Sequence, residues 1–332
     1  MNVEQRVVLM EKLGRFIVSD DAGWTSIKEK AAYENAWFLP EFINYQLEHI
    51  AHEFLDRKKL EKWIAKYNIP SETPAPKNVG IVMAGNIPFA GFHDFLSVFI
   101  SGHRQAAKPS SKDFVLFDGI INKLKEWNSE MEEYVTIADR LKKCDAYIAT
   151  GSNNSSRYFD YYFSNYPHVI RRNRTSVAIL TGNETLADLE ALADDVYLYF
   201  GLGCRNVTKI YVPANFDFLP LLESFKKYNW EFDIHKYKNN YDYQLAVMII
   251  NRIYYMTNGS ILLRENKGLF SPVSLLHYEV YSDVKEVEKS LAATDDIQCI
   301  VGKGYIPFGQ AQKPALDDYA DKADTLQFLR DL

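Results

Sequence analysis

Cysteine is scarce in this chain of 332 residues, which carries only Cys144, Cys204 and Cys299. Three thiols so widely spaced exclude a disulfide framework and a zinc site of paired ligands. Excess positive charge is missing too. With 38 Lys and Arg against 44 Asp and Glu the formal charge is −6, so phosphate backbones and anionic membranes find no broad attraction and nucleic acid is not expected as a main partner. No apolar run is long enough to span a bilayer without charges. The N-terminal residues mix both signs of charge through their apolar positions and lack the compact hydrophobic segment of a signal peptide. Neither an internal repeat nor a low-complexity tail is present. These absences leave a globular protein, expected in a reducing cytoplasm.

Apolar and aromatic residues are plentiful, at 47% and 14%, enough for a large core divided into two or more lobes. Residues 1–70 read as a helical segment: Ser26 and Glu29 form a capping box, Pro40 suits a first helical turn, and Leu47, Ile50 and Leu60, Trp63, Ile64 recur at helical spacing. The stretch 70–77, PSETPAPK, reads as a linker or an extended crossing strand. Strands and helices then alternate, with strands over 79–84, 105–108, 146–149 and 176–180 and helices over 91–101, 112–127, 154–164 and 186–199. That alternation predicts an α/β fold with a doubly wound, mostly parallel sheet, a Rossmann-like dinucleotide domain over 71–200. A second α/β domain is expected over 201–306, with strands at 207–212 and 273–281 and helices at 216–228, 243–255 and 284–291. Residues 307–332 are expected to return to the dinucleotide domain.

Three local patterns bear on chemistry. In Phe200-Gly-Leu-Gly-Cys204 two glycines bring the backbone close around a thiol just before a strand. A thiolate attacks acyl carbon well, and Arg205 beside it is a candidate for lowering its pKa; the alternative is a small buried apolar filler. In Ala84-Gly85-Asn86-Ile87-Pro88 a strand runs into a turn from which Asn86 could offer an N–H to an oxyanion, although turn asparagines usually only close the turn. Thr150-Gly151-Ser152 follows a strand and precedes a helix, where backbone amides face a dinucleotide in open sheets, or merely cap the helix.

In their order and spacing these segments resemble the aldehyde dehydrogenase superfamily, and within it the acyl-CoA reductases of the LuxC type, from residue 79 to the C-terminus. The resemblance implies that Cys204 is the covalent nucleophile, that Asn86 completes the oxyanion hole, and that Lys108-Pro109-Ser110 is the segment whose lysine contacts the adenosine ribose. It implies that Gly151 and Ser152 approach the dinucleotide, that Phe270-Ser-Pro-Val273 is the family's Phe-Gly-Pro-Val element, and that Pro307-Phe308-Gly309 is its Pro-Phe-Gly element. The expected reaction is reduction of an acyl-CoA or acyl-protein thioester to an aldehyde by a nicotinamide dinucleotide, with coenzyme A as part of the substrate; the alternatives are a cysteine-dependent acyltransferase or thioesterase without redox activity, or a noncatalytic subunit of a reductase complex. An acyl-transferring protein partner and a homo-oligomer are compatible with such an enzyme.

Departures from the family refine this expectation. Hydrolytic members carry a water-activating glutamate where this chain has Arg171-Arg172-Asn173-Arg174, near Arg171 by spacing. Without that base an acyl-cysteine suits exchange with a thiol better than hydrolysis. The arginines read as a solvated patch or as a contact to coenzyme A phosphate. After Lys-Pro-Ser, Ser111 and Lys112 stand where NAD-preferring relatives often place a glutamate, which favours NADPH. Gly268 occupies the place of a ribose-binding glutamate, and Ser156 replaces a glycine. His49 and His52 share a helical face but fit no zinc motif, the aromatic run 158–163 reads as helix packing, and Cys144 and Cys299 as inert core thiols.

Overall fold

The structure is a computed structural model describing residues 1–332. It divides into two compact units, 1–173 with 314–332, and 174–313. No helix is long and apolar enough to cross a membrane.

The first unit begins with α1 (Val3–Ile17), α2 (Ala22–Glu34), α3 (Pro40–His49) and α4 (Arg57–Tyr67). A reciprocal cap starts α1, in which Asn2 Oδ1 accepts the Gln5 N–H and Gln5 Oε1 accepts the Asn2 N–H. The capping box expected at Ser26 and Glu29 is not used, because both lie inside α2; Asp21 stands earlier and its carboxylate accepts the Trp24 N–H. Pro40 takes the first turn of α3, where its missing N–H costs nothing.

The chain continues through β1 (Asn78–Val82), α5 (Phe92–Ser101), β2 (Arg104–Lys108), α6 (Phe114–Trp127), α7 (Met131–Tyr134), β3 (Val135–Ile137), β4 (Ala146–Thr150), α8 (Asn153–Phe163) and β5 (His168–Arg171). All five strands are parallel, in the order β3-β2-β1-β4-β5. The two edge strands, β3 and β5, were not expected: Val-Thr-Ile and His-Val-Ile-Arg are too short and too polar to register as apolar runs. One core joins Met10, Leu13, Leu60 and Trp63 of the early helices to Ile81, Phe95, Phe99 and Ile120 around the sheet. The helical segment is therefore part of this unit's core rather than a body of its own. Leu326 and Leu329 join the same core from the C-terminal helix, Thr325–Arg330.

In the second unit the order is β6 (Thr175–Ile179), α9 (Leu186–Tyr197), β7 (Val207–Pro213), α10 (Phe218–Ser224), α11 (His235–Ile250), β8 (Met256–Thr257), β9 (Leu262–Glu265), β10 (Leu275–Tyr281), α12 (Val284–Ala292) and β11 (Ile297–Gly302). Its sheet runs β11-β6-β7-β10-β9-β8, parallel except for β8 on β9. The division falls at Asn173/Arg174 and not at 200/201, because β6 is hydrogen-bonded between β11 and β7 and brings α9 with it. The helix expected over 216–228 stops at Ser224 and continues as tighter 3-10 turns to Asp233. The helix expected over 243–255 is α11, which begins at His235. Apolar residues misled that reading: Tyr243, Ile249, Ile250 and Tyr254 are exposed, and the buried face is Tyr237, Tyr241 and Met248.

Glu231 is fully buried in this unit, and neither carboxyl oxygen has a hydrogen-bond partner. Burial pushes its carboxyl well above the ordinary value of 4.5. A raised folded-state value means that the stability contributed by this group is fully present below about pH 4.5 and is lost as pH rises through the folded value. Glu231→Gln should therefore remove a downward slope of stability with pH and gain on the parent by about 1.4 kcal/mol for each pH unit between the unfolded and folded values, because an amide cannot ionise. Urea unfolding of both proteins across pH 4–8 measures it; parallel curves would contradict it.

Candidate active site

In the first unit the strand order reverses between β1 and β4, and open parallel sheets bind ligands beyond the carboxyl ends of their strands at such a point. The loop after β1 carries Asn86, Lys108 ends β2 and the loop after it carries Ser110, Ser111 and Lys112, and the turn after β4 carries Gly151 and Ser152. The sheet thus brings seven of the residues singled out from the sequence to one edge. Two of these loops touch. A Cβ at Gly85 would lie 2.5 Å from the Ser110 Cβ, so only glycine permits the approach. Sequence reasoning missed the residue that ties them, Asp113, whose Oδ2 accepts the Phe89 N–H at 2.8 Å where Phe89 has a left-handed φ of 55°. Asp113 is buried and its Oδ1 has no partner; burial raises its carboxyl well above the ordinary range, with the Phe89 N–H opposing.

Ser152 caps α8 by accepting the Ser155 N–H at 3.3 Å. The next two residues, Asn153 and Asn154, are exposed, and the amides of a first helical turn have no acceptor within the helix, an arrangement suited to a pyrophosphate. The serine at position 156 does not narrow this entry: its hydroxyl turns into the helix and donates to the Asn153 carbonyl at 2.9 Å. Lys108, Ser111 and Lys112 are exposed and Ser110 is half-buried. This edge fits a dinucleotide. The aromatic run divides, with Phe159 and Phe163 stacked on each other and Phe163 on Tyr147, while Tyr158, Tyr161 and Tyr162 are exposed.

Arg171 is neither a solvated cation nor free for a phosphate. It is buried at the end of β5, with Nη1 2.6 Å from both oxygens of Asp94 and Nη2 donating to Thr325 Oγ1 at 2.5 Å. Arg172 is exposed and pairs with Asp160 at 3.0 Å. His49 packs edge-on against Phe54.

In the second unit the chain leaves α9 through Tyr199, Phe200 and Gly201, whose φ values of 58°, 56° and 72° are all left-handed. For the two buried aromatic residues this backbone costs on the order of 1–3 kcal/mol each, a strain that the surroundings must overcome. Gly203 and Cys204 follow, just before β7. Ser176, on β6, donates from Oγ to the Cys204 carbonyl at 3.1 Å and lies 3.0 Å from Cys299 Sγ. Cys204 is partly exposed, whereas Cys144 and Cys299 are buried. Burial pushes the Cys299 thiol up to about 11, against the opposing pull of Arg205, and raises Cys144 as well. Of the three cysteines, Cys204 alone is not buried.

Asp195, in α9, was also illegible in the sequence. Its buried carboxylate accepts the Gly309 N–H at 2.6 Å and the Ala311 N–H at 2.9 Å, anchoring the Pro307-Phe308-Gly309 element to that helix, and burial pushes its pKa up to about 7. Gly268 lies in a tight turn, its N–H donated to Asn266 Oδ1 at 2.7 Å and its carbonyl accepting from His277 at 2.9 Å. Phe270 is exposed on the loop between β9 and β10. A cavity bounded by Phe200, Gly201, Tyr237 and Pro272 measures about 20 Å³, room for a single water and none for an acyl chain.

Compared by sequence, the chain matches no family model and no curated protein. Its fold is nonetheless similar to solved structures. Aldehyde dehydrogenase from Bartonella henselae superposes with a TM-score of 0.66 at 11% identity, over 91% of this chain and 74% of that one. Aldehyde dehydrogenase 21 from Physcomitrella patens, in complex with the reaction product succinate, gives 0.65 at 13% identity, over 91% and 74%. An oxidoreductase from Marinobacter aquaeolei gives 0.65 at 12%, over 91% and 73%. The fold is aldehyde-dehydrogenase-like, an α/β architecture built on parallel sheets.

Proposed function

We propose that the chain is an acyl-CoA reductase of the LuxC type, which reduces an acyl thioester, fatty acyl-CoA foremost, to an aldehyde through an acyl-cysteine on Cys204. The observation that carries this reading is the contrast among the thiols: Cys204 is partly exposed on a strained loop while Cys144 and Cys299 are buried. The stretch 171–174 supports the acylating type, since spacing sets the hydrolytic relatives' general base near Arg171, where this chain has no carboxylate and Arg171 itself is committed to Asp94.

In the proposed reaction the Cys204 thiolate attacks the thioester carbon, the Cys204 backbone N–H and the Asn86 carboxamide are the oxyanion donors, and the carbon–sulfur bond to coenzyme A breaks with release of its thiolate. Lys108, Ser110, Ser111, Lys112, Gly151, Ser152 and Phe270 are the residues assigned to the dinucleotide. Reduced nicotinamide, when bound, supplies the hydride that converts the acyl-cysteine to a thiohemiacetal. The alkoxide formed by hydride addition re-forms its carbonyl as the carbon–sulfur bond to Cys204 breaks, and the aldehyde leaves with the thiolate restored. The deciding experiment is a panel of acyl-CoAs from short to long, each with NADPH and NADH, followed by nucleotide oxidation and aldehyde formation. Nucleotide oxidation with no member of the panel would overturn the proposal.

NADPH is the proposed donor because Ser111 and Lys112 offer no carboxylate against a 2′-phosphate. Ser111→Glu should lower the NADPH-to-NADH ratio of kcat/KM by about tenfold or more, the effect of one like charge a few ångströms away in partly screened surroundings. An unchanged ratio would remove Ser111 from the ribose site.

A further inference from the structure

Resting on the assignment of Cys204 as nucleophile, we propose that Asn206 is its positioning residue, holding the 198–206 loop in the one conformation that presents the thiol for acyl transfer. Asn206 is fully buried two residues beyond Cys204. Its Nδ2 donates toward the carbonyls of Leu198 at 2.8 Å, Asp195 at 3.1 Å and Val196 at 3.4 Å. These carbonyls belong to the end of α9, where the last turn has no donors of its own. The other end of the same carboxamide accepts the Gly203 N–H at 2.7 Å, and the Asn206 main-chain N–H donates to the Gly203 carbonyl at 3.1 Å. The Asn206 carbonyl in turn accepts the Ser176 N–H at 3.2 Å, which fixes the loop to β6. One side chain therefore closes both sides of the left-handed run at Tyr199, Phe200 and Gly201, immediately before Cys204.

The residue type follows from this pattern. Aspartate has the length but no donor for the three carbonyls, serine cannot reach both ends, and a carboxamide of this length donates at one end and accepts at the other. Asn206 touches neither thiol nor substrate in this role; it acts through the path of the backbone. Misplacement of a reacting atom by about 1 Å costs about 100-fold in rate while leaving a small, unoriented reagent almost unaffected.

The test uses the full chain with Asn206→Ala and Asn206→Asp. Amide exchange over residues 198–206 is measured without ligand, acyl transfer from acyl-CoA to Cys204 by single-turnover mass spectrometry, and iodoacetamide labelling at each cysteine by peptide mapping. In both variants exchange over 198–206 should rise, acyl transfer should fall by about 100-fold, and iodoacetamide should still modify Cys204 and spare Cys299. For Asn206→Asp the deficit should shrink as pH falls, because the protonated carboxyl regains a donor for the carbonyls. Parent-like acyl transfer or parent-like exchange in Asn206→Ala would overturn the proposal. So would labelling of Cys299 in both variants, which would make Asn206 a residue of the fold alone. A parent protein that exchanges as expected but is not acylated would refute the role of Cys204 instead, and exchange would still judge Asn206.

Discussion

Cys204→Ala should abolish aldehyde formation from acyl-CoA and NADPH, with a fall in kcat on the order of 10⁴-fold or more, as expected when a covalent nucleophile is removed from a site whose other groups act only through it. The physical reason is that neither remaining thiol can substitute. Cys299 is buried, its pKa is pushed up to about 11, and its sulfur is engaged by the Ser176 hydroxyl. Cys144 is buried in the other unit and likewise raised. A thiol held protonated by burial is neither nucleophilic nor accessible to a thioester. Intact-mass measurement after incubation with acyl-CoA separates the chemical step from the reduction: the parent should gain one acyl group and Cys204→Ala none, while Cys299→Ala should still be acylated. Aldehyde production by Cys204→Ala at the parent rate would refute the mechanism outright.

What the sequence made legible was the material whose signal is local. The strands flanking the key loops are short apolar runs, and the parallel α/β class followed from their alternation with helices. Asn86, Lys108, Ser110, Gly151 and Ser152 sit at or just after the carboxyl ends of these strands, so their common sheet edge followed once the strands were placed. The residues that secure those loops were not legible, because each acts across a distance that periodicity cannot see. Asp113 reaches back to Phe89, Asp195 reaches forward to Gly309, and Asn206 folds onto the end of α9. In composition they are ordinary polar residues near helix ends, and only burial reveals them. The misplaced domain boundary has a similar cause: β6 has the pattern of one more strand in an alternating series, and nothing in Thr-Ser-Val-Ala-Ile states which sheet receives it.

Asp94→Ala should destabilise the first unit severely. Asp94 stands in the first turn of α5, directly after the loop that carries Asn86, and is 3% exposed; Arg171, at the end of β5, is equally buried. Removing the carboxylate strands a guanidinium whose Nη1 would face no acceptor and whose Nε already lacks one. Breaking a buried pair from one side costs about 3–5 kcal/mol. At roughly 2–4 °C per kcal/mol for a unit of this size, the melting temperature should drop by about 6–20 °C. The double variant Asp94→Leu with Arg171→Met should recover most of this, since replacing both charges with apolar side chains of similar volume removes the stranded charge. Recovery of stability need not restore the loops at the sheet edge. If the pair also aims the start of α5, the double variant should melt near the parent yet bind NADPH more weakly in a fluorescence titration. Full recovery of both properties would mean that the pair serves stability alone. Failure of the double variant to recover stability would place the cost in the contact to Thr325, the third member of the cluster, which joins β5 to the C-terminal helix.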